Sequence, residues 1–274
     1  MPLPPITAFD DNLRPAKLLL KLYRLMDAED VVLREGELVE QLRGVIGANA
    51  SEEILVVHHL LATAVVRDRA EMRASELKRL ALKNLLRQAV VSSCTALDAF
   101  LPALLRANLP TIIARVGRSF FPSSDGDVKE YFKNVSFSVE DVLALQERTP
   151  LEAAEFVANR LLSDASFRYL GSAKGVAVTA SLLQLKQPWD ALAAHLSEDK
   201  KALRNTVDLT TRRRNDIVHR ADRGSEAPDA EHQQDIEYSQ ALQGVTVIEK
   251  VCHALNELVK RRLAELPAVA GAAT

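Results

Sequence analysis

Apolar residues recur at three- and four-residue intervals along most of this chain, the spacing of helices that bury one face. The run LLLKLYRLM predicts a helix from Leu13 to about Asp27, after a proline-rich start, Met1 to Asp10, expected to wrap the surface. A second helix is predicted over Leu38 to Val45, stopped by Gly47. Ser51-Glu52-Glu53 reads as a third helix start, with acids in the first turn. The helical pattern then runs to Asn108 with a single proline, Pro102, so a break is expected near Arg67–Glu76. Lys83–Leu105 is the clearest amphipathic segment, with Leu86, Val90, Ser93, Leu97 and Leu104 on one face. Phe121 to Asp127 predicts a turn, and Ser138 and Thr149 suit the caps of short helices. Gly171 and Gly175 flank a small-residue segment, and Pro188-Trp189 opens a helix where proline is tolerated. Two last helices are expected, Glu198–His219 and Ala230–Leu266, parted by the turn-like ADRGSEAPDAE. The fold class is therefore all-α, a helical bundle. Residues 1–80 form an expected N-terminal helical extension, 81–266 the main helical domain and 267–274 a disordered tail.

Composition supports helices over strands. The 274 residues are 47% hydrophobic but only 5% aromatic, with 10 Gly and 11 Pro, too few for many tight turns. A formal net charge of −2 argues against a broad nucleic-acid-coating surface, so any such contact needs a local basic cluster. Cys94 and Cys252 lie in helical stretches, which suits a reducing compartment better than a disulfide framework. The N-terminal segment lacks the apolar core of a signal peptide. No uncharged apolar run approaches the ~20 residues of a membrane span. A soluble, cytoplasmic protein without membrane contact is expected.

One segment changes this picture. From Thr211 to Arg223, five arginines (Arg212, Arg213, Arg214, Arg220 and Arg223) surround a single histidine, His219, at a helix end. Leu203, Val207, Ile217 and Val218 form the apolar stripe of that helix, and Arg214 falls in its middle with Thr210. A guanidinium there needs a paired acid, a cleft or a partner. Asn215 and His219, four apart, share a face. Arg214 and His219 lie about 140° apart on an ideal helix. They converge only if the helix ends or bends near Val218, or if a second copy completes the site. Taken alone, the cluster also reads as a solvated basic face complementing the helix dipole, and His219 as a helix-terminal histidine satisfied by carbonyls. Glu52, Glu53, His58 and His59 lack H-E-x-x-H spacing and read as surface residues. Gly171 to Gly175 lacks the phosphate-loop pattern and reads as a tight helix junction. Neither cysteine has a His-Asp arrangement nearby, and Trp189 suits a packing anchor.

The string Arg214-Asn215-Asp216-Ile217-Val218-His219 resembles the R-N-x-x-x-H signature of the HEPN superfamily. The longer RRRNDIVHRADR resembles its RiboL-PSP branch, in which the motif precedes a last long helix. VSSCTALDAFLPALL, with Asp98 at an acidic position, and Pro188 to Ala193, at an aromatic segment, are similar to that branch as well. The likeness runs roughly from Lys83 to Arg262. It implies a HEPN-like helical domain that dimerises with two motif copies facing across a groove. It implies RNA cleavage without metal or cofactor, as in toxins, stress effectors or anti-phage systems. The implied partners are RNA, a second copy, and an antitoxin or regulatory protein. Carried over by position, Arg214 and His219 are the principal catalytic residues, Asn215 assists and Asp98 supports Arg214. Arg212, Arg213, Arg220 and Arg223 are expected to hold RNA. Asp98 read by itself is a structural ion pair or a solvent-facing rim residue sooner than a catalytic group. Two other functions fit the same residues: a non-catalytic module using the motif as a phosphate or nucleotide cleft, and a partner-binding bundle docking through its N-terminal helices.

Overall fold

Caps and prolines set where many of the helices begin. The computed structural model describes residues 3–27, 32–33, 35–52, 54–59, 62–67, 81–120, 136–163, 167, 169–223 and 233–267. Helix α1 (Pro5–Met26) opens on a proline and α2 spans Glu37–Val45. The long α3 (Leu82–Val116) closes in a 3₁₀ turn, Gly117–Phe120. Next come α4 (Val139–Gln146) and α5 (Pro150–Leu162), then α6 (Ala173–Leu182) and α7 (Pro188–Leu196). The chain ends in α8 (Lys200–Arg220) and α9 (Tyr238–Glu265). Ser138 and Thr149 cap α4 and α5 in reciprocal capping boxes with Asp141 and Glu152, as the sequence predicts.

The body is an all-helical bundle around α3, against which α1, α5, α8 and α9 pack. Leu86, Val90, Ser93, Leu97 and Leu104 are all buried. Among the described residues α3 alone is long and apolar enough to cross a membrane by length and composition, and over half of its most apolar stretch is buried in the bundle.

Three expectations need correction. Pro4 and Pro5 do not lead a surface wrap, because residues 5–10 already belong to α1, where Phe9 is buried with its ring 5.2 Å from that of Phe100. Thus α1 shares the main core. Ser51 and Glu52 start no helix. Three strands, β1 (Val32–Leu33), β2 (Ile54–His59) and β3 (Ala62–Arg67), form a small antiparallel sheet in the order β1-β2-β3. Val56 pairs with Val65 and Val57 with Ala64. The cause is the β-branched content of this stretch (Ile54, Val56, Val57, Thr63, Val65 and Val66), a residue type that favours strand over helix. Ile54 and Val56 bury against Val39 of α2 in a separate small cluster. Finally, α9 begins at Tyr238 and not at Ala230, because residues 233–237 are not helical and Glu237 is extended. The expected break over residues 68–76, the turn at 121–127 and nearly all of the tail lie outside the described residues.

That non-helical stretch follows from a buried charge. Ala221 and Asp222 both adopt left-handed backbone at the end of α8, with φ of 50° and 65°, a conformation that costs L-residues roughly 1–2 kcal/mol each. Asp222 is 1% exposed and accepts from Arg87 Nε of α3 at 2.5 Å and from Arg213 Nη2 at 3.0 Å. Arg87 also donates to Gln234 O at 2.8 Å, and Arg213 to Asp235 O at 2.9 Å. The carbonyls of residues 234 and 235 thus serve the arginines, so α9 starts after them. One carboxylate ties together the end of α8, the middle of the bundle and the entry to α9. Asp222→Ala leaves two guanidinium groups short of a buried counter-charge. It is expected to destabilise the fold by about 3–5 kcal/mol in urea unfolding, whereas a loss near zero would mean that the network contributes no net stability.

Candidate functional site

Helix α8 carries the site, and its start is fixed by the Asp199 carboxylate accepting from Ala202 N–H at 2.7 Å. Its buried face holds Leu203, Val207 and Thr210 against the bundle. The Cys94 thiol of α3 lies 3.8 Å from Thr210 O, which fixes the register of α3 against α8. Burial pushes the Cys94 thiol up to about 12, and Cys252 well above its ordinary value, so neither is a nucleophile at neutral pH.

Arg214 stands one turn beyond Thr210 on the same face. Its Nη2 reaches across to Asp98 Oδ2 on α3, and its Nη1 donates to Asn215 Oδ1 at 2.9 Å. Both partners of the ion pair are half-buried, Asp98 at 27% and Arg214 at 28% exposed. Burial raises the Asp98 pKa, while Arg214 and a hydrogen bond from the Gly171 N–H pull it back down. The fit at Gly171 is close: a methyl group there would stand 1.7 Å from Asp98 Oδ1. The junction before α6 therefore presents bare backbone to the carboxylate.

Helix α8 runs on to Arg220 and ends at Ala221, with no break near Val218. The about 140° between Arg214 and His219 is therefore retained within one chain. Asn215 bridges it in part, lying about 100° from Arg214 and about 40° from His219. His219 is exposed, with no side-chain bond among the described residues. Arg212 is also exposed and seven residues back, so Arg212, Asn215 and His219 form one surface stripe.

The other arginines divide. Arg213, expected to hold RNA, is instead spent on Asp222, Gln234 and the Asp235 carbonyl, and lies largely buried. Arg220 pairs with Asp216 at 3.1 Å one turn back, a surface bond of little net worth. Arg223 is exposed. Sequence reasoning placed Asp98 against Arg214 but missed the part Gly171 plays there. Its only sequence signal is a glycine at a helix junction. Among the described residues no three His, Cys, Asp or Glu side chains gather as a metal site would require. No family model matches this chain, and no curated protein or solved structure matches it.

Asp98 is expected to titrate above the ordinary ~3.9 of an aspartate in ¹³C NMR, and higher still in Arg214→Ala, where its counter-charge is gone. Because the folded midpoint lies above the unfolded one, ionising Asp98 by itself lowers stability as pH rises between the two. A midpoint at or below the ordinary value would mean that the Arg214 and Gly171 contacts outweigh burial. Gly171→Ala is expected to turn Asp98 away from Arg214 and to cost about 1–3 kcal/mol of stability, measured by urea unfolding. Retained stability with an unmoved Asp98 signal would show that the close approach is not held in solution.

Proposed function

We propose that this protein is a metal-independent endoribonuclease of the HEPN kind, acting on RNA in the cytoplasm as a homodimer with a composite site. Toxin, stress or anti-phage roles, and control by an antitoxin or regulatory protein, belong to the same proposal. The observation that carries it is the succession along α8 of an anchored guanidinium, an amide bonded to it and an exposed imidazole one turn further on. Asp98 and Asn215 engage two of Arg214's N–H donors, and the rest remain for a phosphate.

In the reaction the ribose 2′-oxygen attacks the adjacent phosphorus and the P–O5′ bond breaks. One proton leaves the 2′-hydroxyl and one reaches the departing 5′-oxygen. His219 is suited to either transfer, since imidazole exchanges protons near neutral pH. Arg214 neutralises the charge growing on the phosphoryl oxygens, and its rigid fork suits that geometry. In a dimer the two His219 copies divide the acid and base roles, which also removes the need for one chain to bring Arg214 and His219 together.

A second reading has one observation in its favour. Arg214 pairs with Asp98 where α8 meets α3, the position of a structural ion pair. On that reading Arg214→Ala weakens the fold and there is no separate activity to lose.

Incubation of purified protein with RNA in EDTA separates the two. The proposal expects cleavage with 2′,3′-cyclic phosphate and 5′-hydroxyl ends, and none on a DNA strand of the same sequence. His219→Ala should lower the rate by about 10²–10⁴-fold without loss of stability. Efficient cutting of DNA, or an equal rate for His219→Ala, would rule the mechanism out.

A further inference from the structure

On the far side of the exposed stripe, α8 and α9 part to leave an open groove of about 500 Å³, within the size range of small-ligand sites. The helices approach closely at its base, where a methyl group on Gly244 would stand 2.9 Å from Thr210. Val90, Leu209 and Ile236 give the groove apolar lining, and Gln234, Gln240 and Gln243 give it amide groups. Leu209 is 64% exposed, an apolar side chain left open beside the charged stripe. Arg212 belongs to both the groove and the stripe. It lies about 4.5 Å before Asn215 along the helix axis and about 10.5 Å before His219, the span of one or two nucleotides.

The amides are not free to present either end. Gln234 Oε1 is held by Arg213 Nη1, and Gln240 Oε1 accepts from the Glu237 N–H at 3.2 Å. Both partners can only donate, so each amide turns its oxygen toward its partner and keeps its NH₂ as a donor. An apolar-lined groove in which these amide donors stand beside the Asp216 carboxylate matches a planar ring whose edge carries a carbonyl oxygen next to an N–H.

We propose that this groove takes one unstacked keto base, uracil or guanine, of an RNA strand that crosses the Asn215–His219 stripe. It thereby selects the site of cleavage. The inference rests on the ribonuclease reading for the strand, but its own evidence is the lining of the groove. Arg212 faces the adjoining phosphate, and Gln243, which has no partner among the described residues, adapts to the base edge.

The test is methyl and side-chain amide NMR of the full protein titrated with UMP, GMP, AMP and ribose 5-phosphate. UMP or GMP is expected to move the Leu209 and Ile236 methyls and the Gln243 amide, and to bind at least about tenfold tighter than AMP. Gln243→Leu should weaken that binding by about tenfold, the worth of one hydrogen bond. Equal shifts with ribose 5-phosphate, equal affinity for AMP, or no shift at all would overturn the proposal. A parallel cleavage assay distinguishes the two failures. RNA cut without base preference and without groove shifts removes the base site alone, whereas keto-base binding in a protein that cuts nothing upholds the groove and removes the nuclease.

Discussion

Helix α8 places two consecutive arginines where only one side of the helix has ready access to water, and each must find an acid. Arg213 is answered by Asp222, two residues past the end of α8, and Arg214 by Asp98 on the central helix α3. The Arg214–Asp98 pair is the more consequential. It crosses the contact between α3 and α8, it is only half-buried, and it leaves guanidinium donors open beside Asn215. Asp98 is in turn held by the backbone at Gly171, so three separate stretches of chain fix a single cation. A cation pre-positioned in this way costs little to reorganise when an anion arrives, which is the property a phosphate site needs.

The same pairing explains how the charge of the basic segment is distributed. Five arginines read as one cluster in sequence, but the fold gives them different tasks. Arg213 closes the α8–α9 connection from within, and Arg220 pairs with Asp216 along its own helix. Arg212 and Arg214 stand on either side of the Asn215–His219 line. The cationic surface is therefore narrow, consistent with a chain whose formal net charge is −2. A narrow strip suits one linkage of a single strand better than a duplex.

How much of this was legible beforehand depended on the range of the interaction. Local signals carried well: the caps at Ser138 and Thr149, proline at the start of α7, and the extent of α8. The position of Arg214 on the buried side of α8 also followed from periodicity alone, and with it the need for an acid. The sheet was missed because short apolar runs with acidic residues before them satisfy both helical and strand patterns, and the β-branched content of 54–67 was the signal that decided it. Arg213 was misread because its acceptors include the carbonyls of Gln234 and Asp235, some twenty residues on and brought beside it only by the tertiary fold. Gly171 contributes through the side chain it does not have, which no spacing rule detects.

The central claim is that a guanidinium anchored on Asp98 and an imidazole from α8 meet the same ribose–phosphate linkage. The most direct test is NMR of the Arg214 guanidinium and His219 ring signals during titration with a dinucleotide whose 2′-oxygen is methylated and so cannot attack. The account predicts that both sets of signals move together, saturating at one ligand concentration. Movement of one without the other, or of neither while the ligand binds elsewhere, would contradict it.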